Sequence, residues 1–501
     1  MQNRDQAVRA ITGVTLVMFS AKILGVLRNI LQARVFGAGA DVDLFTQANN
    51  YTVSLFTTVA YALCVAAVPI LSRRLRQGRE QAFDTADRLI SVTLVGALGL
   101  TALLALLGAT GAAGTLVGVP GERLFCSCFL RLLPALPVIT LTYLLLALFQ
   151  SMGHFTLQGS LSLLYGLALC GVLLAAGDRL TLSAYALLLS LGWLLQLAMT
   201  LPCIRKERYR FHFRPDFRLP ELRLFFRTGA VTVVTSAVFL FCYLLNTRFA
   251  APLPAGTVSA FSYAYRIYEP LTSTLIYSIS IVMFPTFSRK YGELSSQEYH
   301  AYVVQVVKNA LLVVLPVSAL FCVFGTPVIK VLFEGGSFDA AATLRTGRLF
   351  SVYALGMAGF FMLDLLSKAY YAMEKTLTPL AVSLGIIGGC GLLNALGRLL
   401  LPKSGAVLAA CSALALVAGG LFLYVRFARE GGASVPAVPL TRGAFSALLT
   451  GATAAFVYRR FLSLEAGKLT LVLTCGGVGL GCLLLYLLLM GSALPLRRPR
   501  G

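Results

Sequence analysis

Six ionisable side chains stand inside or at the mouths of long apolar stretches: Lys22, Arg28 and Arg34 between positions 10 and 36, Asp43 at the start of the next stretch, and Arg266 and Glu269 farther along. A charge at the centre of a lipid-spanning helix costs about 2.5–3.5 kcal/mol on insertion scales, so such groups face a partner or a water-filled space. The three cations of the first stretch have no adjacent carboxylate in sequence. That pattern suits an anion held in an aqueous cavity, where an arginine offers a paired, charge-assisted fork and a lysine a point charge. Competing readings remain open. Arg34 lies near the end of its stretch and can snorkel to the headgroups. Arg266 and Glu269, three apart on a helix, can neutralise each other. Lys22 and Arg28 are about 120° apart on an ideal helix, so a shared face requires a bend, for which Gly25 is suited, or a cavity that wraps around the helix.

Other polar groups in apolar surroundings have simpler readings. Asp364 and Lys368, at i and i+4, read as a local ion pair rather than a proton relay. Asn246 and Asn394 read as hydrogen-bonding glue between helices. Arg131 beside Pro134 fits either a pore or a snorkelling position.

These residues need a frame, and composition identifies it. Of 501 residues 58% are hydrophobic and only 12% charged, and the mean hydropathy is +0.81, far from a soluble globular chain. Lipid-crossing segments of about 20 apolar residues recur throughout, because a helix pairs every backbone amide internally. Helices are expected at 10–36, 43–71, 89–117, 123–151, 156–176, 181–203, 225–250, 257–287, 300–324, 342–372, 377–400, 404–426, 440–461 and 469–490. The fold class is therefore an all-α integral membrane protein of about fourteen transmembrane helices. Its first segment follows the polar stretch 1–9 and reads as an uncleaved anchor.

Basic residues set the orientation, because they collect in loops left in the cytoplasm. Arg73, Arg74, Arg76, Arg79 and Arg88 follow the second helix, Arg205, Lys206, Arg208, Arg210, Arg214, Arg218 and Arg223 follow the sixth, and Arg4, Arg9, Arg497, Arg498 and Arg500 lie at the ends. Both termini are thereby expected in the cytoplasm. The formal charge of +22 is mostly topology, with anionic phospholipid headgroups rather than nucleic acid as the expected partner of the Arg205–Arg218 loop. The eleven cysteines are scattered singly through apolar spans or, as Cys126 and Cys128, lack further ligands, and His154, His212 and His300 are unpaired in spacing. No metal site, cofactor or catalytic constellation is expected.

An internal repeat organises the chain. Phe45, Ala48, Pro69, Ser72, Arg73 and Arg74 recur as Phe261, Ala264, Pro285, Ser288, Arg289 and Lys290, each displaced by 216 residues. The eighth helix thus reads as a copy of the second, and units of six helices have the same orientation. The expected organisation is an N-lobe over 1–204, a basic cytoplasmic linker over 205–224, a C-lobe over 225–429, and two further helices with a basic tail over 430–501. Two parallel six-helix lobes that rock against each other would give alternating access.

The stretch Leu24-Gly25, Arg28, Ala33-Arg34-Val35-Phe36-Gly37-Ala38-Gly39, Asp43 and Phe45 resembles the start of the MurJ/MviN lipid II flippases, within the multidrug/oligosaccharidyl-lipid/polysaccharide exporter superfamily. Tyr263-Ala264-Tyr265-Arg266 with Glu269 and Pro285, and Ala369-Tyr370-Tyr371-Ala372 followed by Thr378-Pro379, extend the resemblance. It implies transport of the undecaprenyl-diphosphate-linked peptidoglycan precursor, lipid II, to the outer leaflet of the bacterial cytoplasmic membrane, without catalysis. It further implies a cationic cavity with Lys22, where arginine is usual, Arg28 and Arg266 on the substrate, Asp43 as the acidic partner near the outer gate, and an apolar tail groove on the last two helices; the residue pattern adds Arg34 to the expected substrate contacts and Glu269 to the gate or counter-charges. Many relatives carry two adjacent arginines and a glutamate where this chain has Phe56, Thr57 and Tyr61; some carry an acid that helps hold sodium where it has Arg398, so no sodium site is expected. A flippase for another polyprenyl-linked glycan is the alternative. A membrane-embedded glycosyltransferase would need acids in a large outer loop, where this sequence offers Glu334 and Asp339, and a cation antiporter would prefer acids to this cationic set.

Overall fold

The computed structural model describes residues 20–154, 157–401, 404–432, 437–461 and 467–490. The expected cations Arg4, Arg9, Arg497, Arg498 and Arg500, and positions 10–19 of the first expected helix, lie outside the described residues. Within them the chain is helices and turns, with no strand. Two compact units divide it, Met1–Ala237 and Val238–Gly501.

In the first unit α1 covers 20–36. Helix α2 (Ala40–Asn49) passes through one π-helical turn, Asn50–Ser54, into α3 (Leu55–Gln77). There follow α4 (Arg79–Ala109), the short α5 (Ala112–Val117), α6 (Arg123–Leu132), α7 (Ala135–Ser151), α8 (Leu157–Ala176), α9 (Leu182–Ala198), the short α10 (Leu201–Lys206) and α11 (Glu221–Ser236). The second unit holds α12 (Val238–Ala250), α13 (Thr257–Glu293), α14 (Ser296–Phe333), α15 (Ala340–Ala354), α16 (Met357–Ala372), α17 (Leu377–Leu400), α18 (Gly405–Glu430), α19 (Ala437–Phe461) and α20 (Lys468–Met490).

The repeat is visible in this order. A rod from Ala40 to Gln77 corresponds, 216 residues on, to α13, which ends at Glu293. Each rod is followed by a long return helix, then by a helix broken in its middle (α6–α7 and α15–α16), then by two more spans. Nine helical stretches among the described residues are long and apolar enough to cross a bilayer, and eleven when each of two broken pairs counts as one. Each of the fourteen expected segments has a helical counterpart. The remaining three are the partly described 20–36 and the more polar α13 and α19, which carry Arg266 and Glu269, and Arg442, Arg459 and Arg460.

Between helices in lipid there is little hydrophobic drive, so close packing rests on small residues. A Cβ on Gly420 of α18 would lie 2.4 Å from the Gly359 carbonyl oxygen of α16, and one on Gly359 would lie 2.4 Å from the Leu416 carbonyl oxygen. Polar glue joins α12, α15, α17 and α18: Asn394 donates to Asn246 Oδ1 at 2.8 Å, and Asn246 donates to Tyr353 at 3.1 Å and to Ser412 at 2.5 Å. The asparagines thus behave as expected. So does Lys368, whose Nζ lies 2.5 Å from Asp364, a carboxylate that also accepts from Ser280 at 2.5 Å. All eleven cysteines are free.

The segment between α10 and α11 is folded along α4. Arg79 pairs with Glu207, which also meets His154 Nε2 at 2.7 Å. Tyr209 donates its hydroxyl to the buried Asp87, and Asp84 and Asp216 bracket Arg88 at 2.9 Å each. Arg74 pairs with Glu221, tying α11 to α3.

Two expectations follow. Gly420→Val should prevent the α16–α18 crossing and remove most folded, monodisperse protein in size-exclusion chromatography, since a Cβ there meets backbone. Gly388→Val, where nothing lies within 4 Å, should leave it intact. The second concerns Glu207, whose carboxyl is held below the usual carboxylate range by the His154 ring and then by Arg79. A lowered folded value means stabilisation that is complete above the unfolded value of about 4.3 and lost as pH falls through the folded one. Glu207→Gln should therefore lower thermal stability at pH 7 by on the order of 0.5–1 kcal/mol for a half-exposed pair, with the gap to wild type closing below about pH 4.

Candidate functional site

Helix α1 is continuous through Gly25, and it seats on α8 where Gly166 comes close to Leu24, a Cβ there lying 3.2 Å from Leu24 Cβ. That approach fixes Arg28. Its guanidinium stands over the Tyr165 ring, 5.6 Å from the centroid, and one Nη donates to Asn29 Oδ1 at 3.4 Å. Its buried Nε has no hydrogen-bond partner, and among the described residues no carboxylate pairs with it. An aromatic face attracts a cation without occupying its donors. Arg28 is thus a half-buried charge with its fork largely uncommitted.

Tyr165 is itself positioned. It lies against Gly192 of α9, where a Cβ would be 2.4 Å from its Cε2, and its ring is 5.7 Å from Trp193. Trp193 continues to Tyr143 at 6.2 Å, and Tyr143 to Tyr61 at 6.3 Å. No residue pattern marks this aromatic series, since one tyrosine in an apolar span carries no periodic signal. Lys22 and Arg34 are exposed on the same helix, Arg34 within its last turn. On their own helix the uninterrupted path through Gly25 leaves the three cations on different faces.

Asp43 is half-buried in the first turn of α2. Its neighbour Asp41, not Asp43, lines a cleft of about 550 Å³ with Phe36, Leu124, Thr181 and Ser183. About two turns beyond, the π-turn Asn50–Ser54 is braced by Asn49 donating to Ser54 Oγ at 3.2 Å and by Thr52 to the Ala48 carbonyl at 2.6 Å. Such turns recur at functional sites. The departures have ordinary roles: Phe56 packs on the first unit's core, Thr57 donates to the Val53 carbonyl at 2.6 Å, and Tyr61 meets Tyr143.

In the second unit Arg266 is half-buried on α13 and its Nε donates to Ser262 Oγ at 3.1 Å. Next to it Tyr265 stacks on Tyr243 with centroids 4.3 Å apart. Glu269 is half-buried three residues on. Among the described residues no group of three His, Cys, Asp or Glu is arranged to hold a metal ion. Helices α19 and α20 pack on α14 through Leu312, Ala447 and Tyr486 and through Phe324, Ala454 and Cys482.

A half-buried cation on an aromatic face, as at Arg28, can bind and release an anion, and Arg266 is a second half-buried cation. Comparison with known proteins points the same way. Residues 32–474 match the family described as "Lipid II flippase MurJ". A lipid II flippase MurJ of Burkholderia cenocepacia is 26% identical over 401 residues, covering 77% of this chain and 76% of that protein. A probable lipid II flippase MurJ of Thermotoga maritima is 24% identical over 412 residues, covering 81% and 83%. A solved structure described as "Lipid II flippase MurJ, inward closed conformation" superposes with a TM-score of 0.78 over 95% of this chain and 97% of that one, at 19% identity. An inward-facing multidrug resistance MATE family transporter of the MOP superfamily gives 0.62 over 84% and 98%, at 14% identity. At such identities the superpositions establish the fold, while the matched family region includes Arg34, Asp43, Arg266 and Glu269 and begins after Lys22 and Arg28. From residue 32 to residue 474, nearly the whole membrane-spanning chain, this protein belongs to the lipid II flippase MurJ family.

Proposed function

We propose that the protein carries lipid II from the inner to the outer leaflet of the bacterial cytoplasmic membrane by alternating access, as a transporter and not an enzyme. The family match over 32–474 carries this reading. The side chains add a chemical reason. A diphosphate is bound well by guanidinium groups whose donors are uncommitted, and Arg28 has a buried Nε without a partner.

In this reading Lys22, Arg28, Arg34 and Arg266 contact the anionic headgroup along its route, and Asp43 and Glu269 act as counter-charges. The parts are then an N-lobe over 1–204, a linker over 205–224, a C-lobe over 225–429 and a tail-binding pair over 430–501. The basic loop and both termini face the cytoplasm.

Arg28→Ala and Arg266→Ala should each abolish complementation of a flippase-depleted strain while the protein still inserts, with lipid II accumulating on the inner leaflet. Arg28→Lys should be impaired, because a point charge replaces a fork, Lys22→Arg tolerated, and Arg34→Ala mild. Full complementation by both alanine variants at wild-type expression would remove these cations from the mechanism. Separately, a cysteine placed at Phe211, in a protein whose native cysteines are blocked or replaced, should resist an impermeant thiol reagent in intact cells. Ready labelling would reverse the orientation.

A further inference from the structure

The turn after α10 carries a basic feature that the transport reading does not use. Helices α7, α9 and α10 border an apolar groove of about 370 Å³, lined by leucines such as Leu145 and Leu197, by Ile204 and by Tyr209 and Phe211. It runs beside two helical stretches apolar enough to cross the bilayer, Arg123–Ser151 and Leu182–Lys206. In lipid such a groove takes an apolar chain, since its lining offers water almost no polar partner.

Exposed basic residues flank the lining residues Ile204 and Tyr209 in the chain. Arg205, Arg208 and Arg210 are exposed, and among the described residues none of the three has a carboxylate partner. The one acid in that run, Glu207, is already engaged by Arg79 and His154. The segment carrying Tyr209 and Phe211 is held in place, because Tyr209 donates to Asp87, the His212 amide donates to the same carboxylate at 3.2 Å and the Arg214 amide to Ser91 Oγ at 2.8 Å.

Arg208 is also strained. The Tyr209 amide donates to the Ile204 carbonyl at 3.0 Å and the Arg208 amide to the Arg205 carbonyl at 3.2 Å, the double closure of a helix end whose left-handed position favours glycine. Arg208 occupies it with φ +50°. An arginine kept where glycine would relieve strain points to a use for its charge. Farther along, Phe213 beside Arg214 and Phe217 beside Arg218 are 57% and 67% exposed, as in segments that lie at a membrane interface.

We propose that this groove holds one acyl chain of an anionic glycerophospholipid, taken from the leaflet on the side of the basic loop, with its phosphate on Arg205, Arg208 and Arg210. Charge complementarity decides the occupant: a zwitterionic lipid would fit the groove equally well, but its headgroup brings a cation of its own beside the three arginines, whereas an anionic one brings none. The inference holds whichever polyprenyl-linked substrate the protein carries.

The test is native mass spectrometry of the full-length protein titrated with phosphatidylglycerol or phosphatidylcholine. Wild type should retain one phosphatidylglycerol and bind phosphatidylcholine more weakly. Arg205→Gln with Arg210→Gln should weaken phosphatidylglycerol by roughly fivefold per cation removed and leave phosphatidylcholine unchanged. Ala198→Trp, which fills the groove from α9, should remove the retained lipid, whereas Leu187→Trp, exposed on the same helix outside the groove, should not. Arg208→Gly separates binding from folding, since it should preserve or raise thermal stability while weakening phosphatidylglycerol. Equal retention of the two lipids, indifference to Ala198→Trp, or ready displacement of phosphatidylglycerol by undecaprenyl diphosphate would overturn the proposal, the last by assigning the groove to a polyprenyl tail.

Discussion

A helix interrupted inside a bilayer exposes carbonyls that have no water to turn to, and each must find a donor from a neighbouring helix. Pro316 cannot donate to the Leu312 carbonyl, four residues back in α14. The Tyr486 hydroxyl of α20 does so at 2.8 Å. Beside the break between α6 and α7, Ser190 of α9 donates to the Arg131 carbonyl at 2.7 Å. Beside the break between α15 and α16, where the axis bends by 44°, Ser318 of α14 donates to the Ala354 carbonyl at 2.5 Å. These single bonds fix which helix lies against which break. They also make α20 part of the second unit's bonding scheme, in addition to its apolar packing on α14.

With the breaks secured, the duplicated frame could diverge in chemistry without diverging in shape. Counting 216 residues from Arg266 returns to Asn50, the first residue of the π-turn. One copy carries a cation at this level and the other a local unwinding of the same rod. The displacement is the same on both sides, from Phe45 and Phe261 to Arg74 and Lys290, so the π-turn was accommodated without an insertion relative to the second copy. A wider turn leaves backbone groups less tightly paired, and in the first unit it sits where Asn49 and Asn50 are buried.

This also explains what the residue pattern can and cannot convey. Spans are legible because their signal is a sum over about 20 residues, and the Asp364–Lys368 pair because i,i+4 contacts are local. The repeat is legible because its register never slips. The π-turn is not, since it leaves no gap in that register. The cradle of Arg28 is not, because Tyr165, Gly166 and Gly192 lie more than a hundred residues from it and none is unusual alone. Asp41 and Asp43 are both visible as acids, but which one lines the cleft depends on where α2 begins, a boundary that patterning places only to within a few residues.

In its proposed role as a binding group, Arg28 has a support that suits release as well as capture. A carboxylate partner would lower the cost of keeping the charge in a half-buried place, but a ligand would then have to displace it. The Tyr165 face offsets part of that cost by on the order of 0.5–2 kcal/mol and commits none of the five donors of the guanidinium. The bond to Asn29, at 3.4 Å, is long enough to give up. An anion arriving at such a group gains charge-assisted hydrogen bonds without first breaking an ion pair, and on leaving returns the cation to its ring rather than to an uncompensated void. Passage requires binding strong enough to admit the ligand and weak enough to release it, and a cation resting on an aromatic ring satisfies both conditions with the same contact.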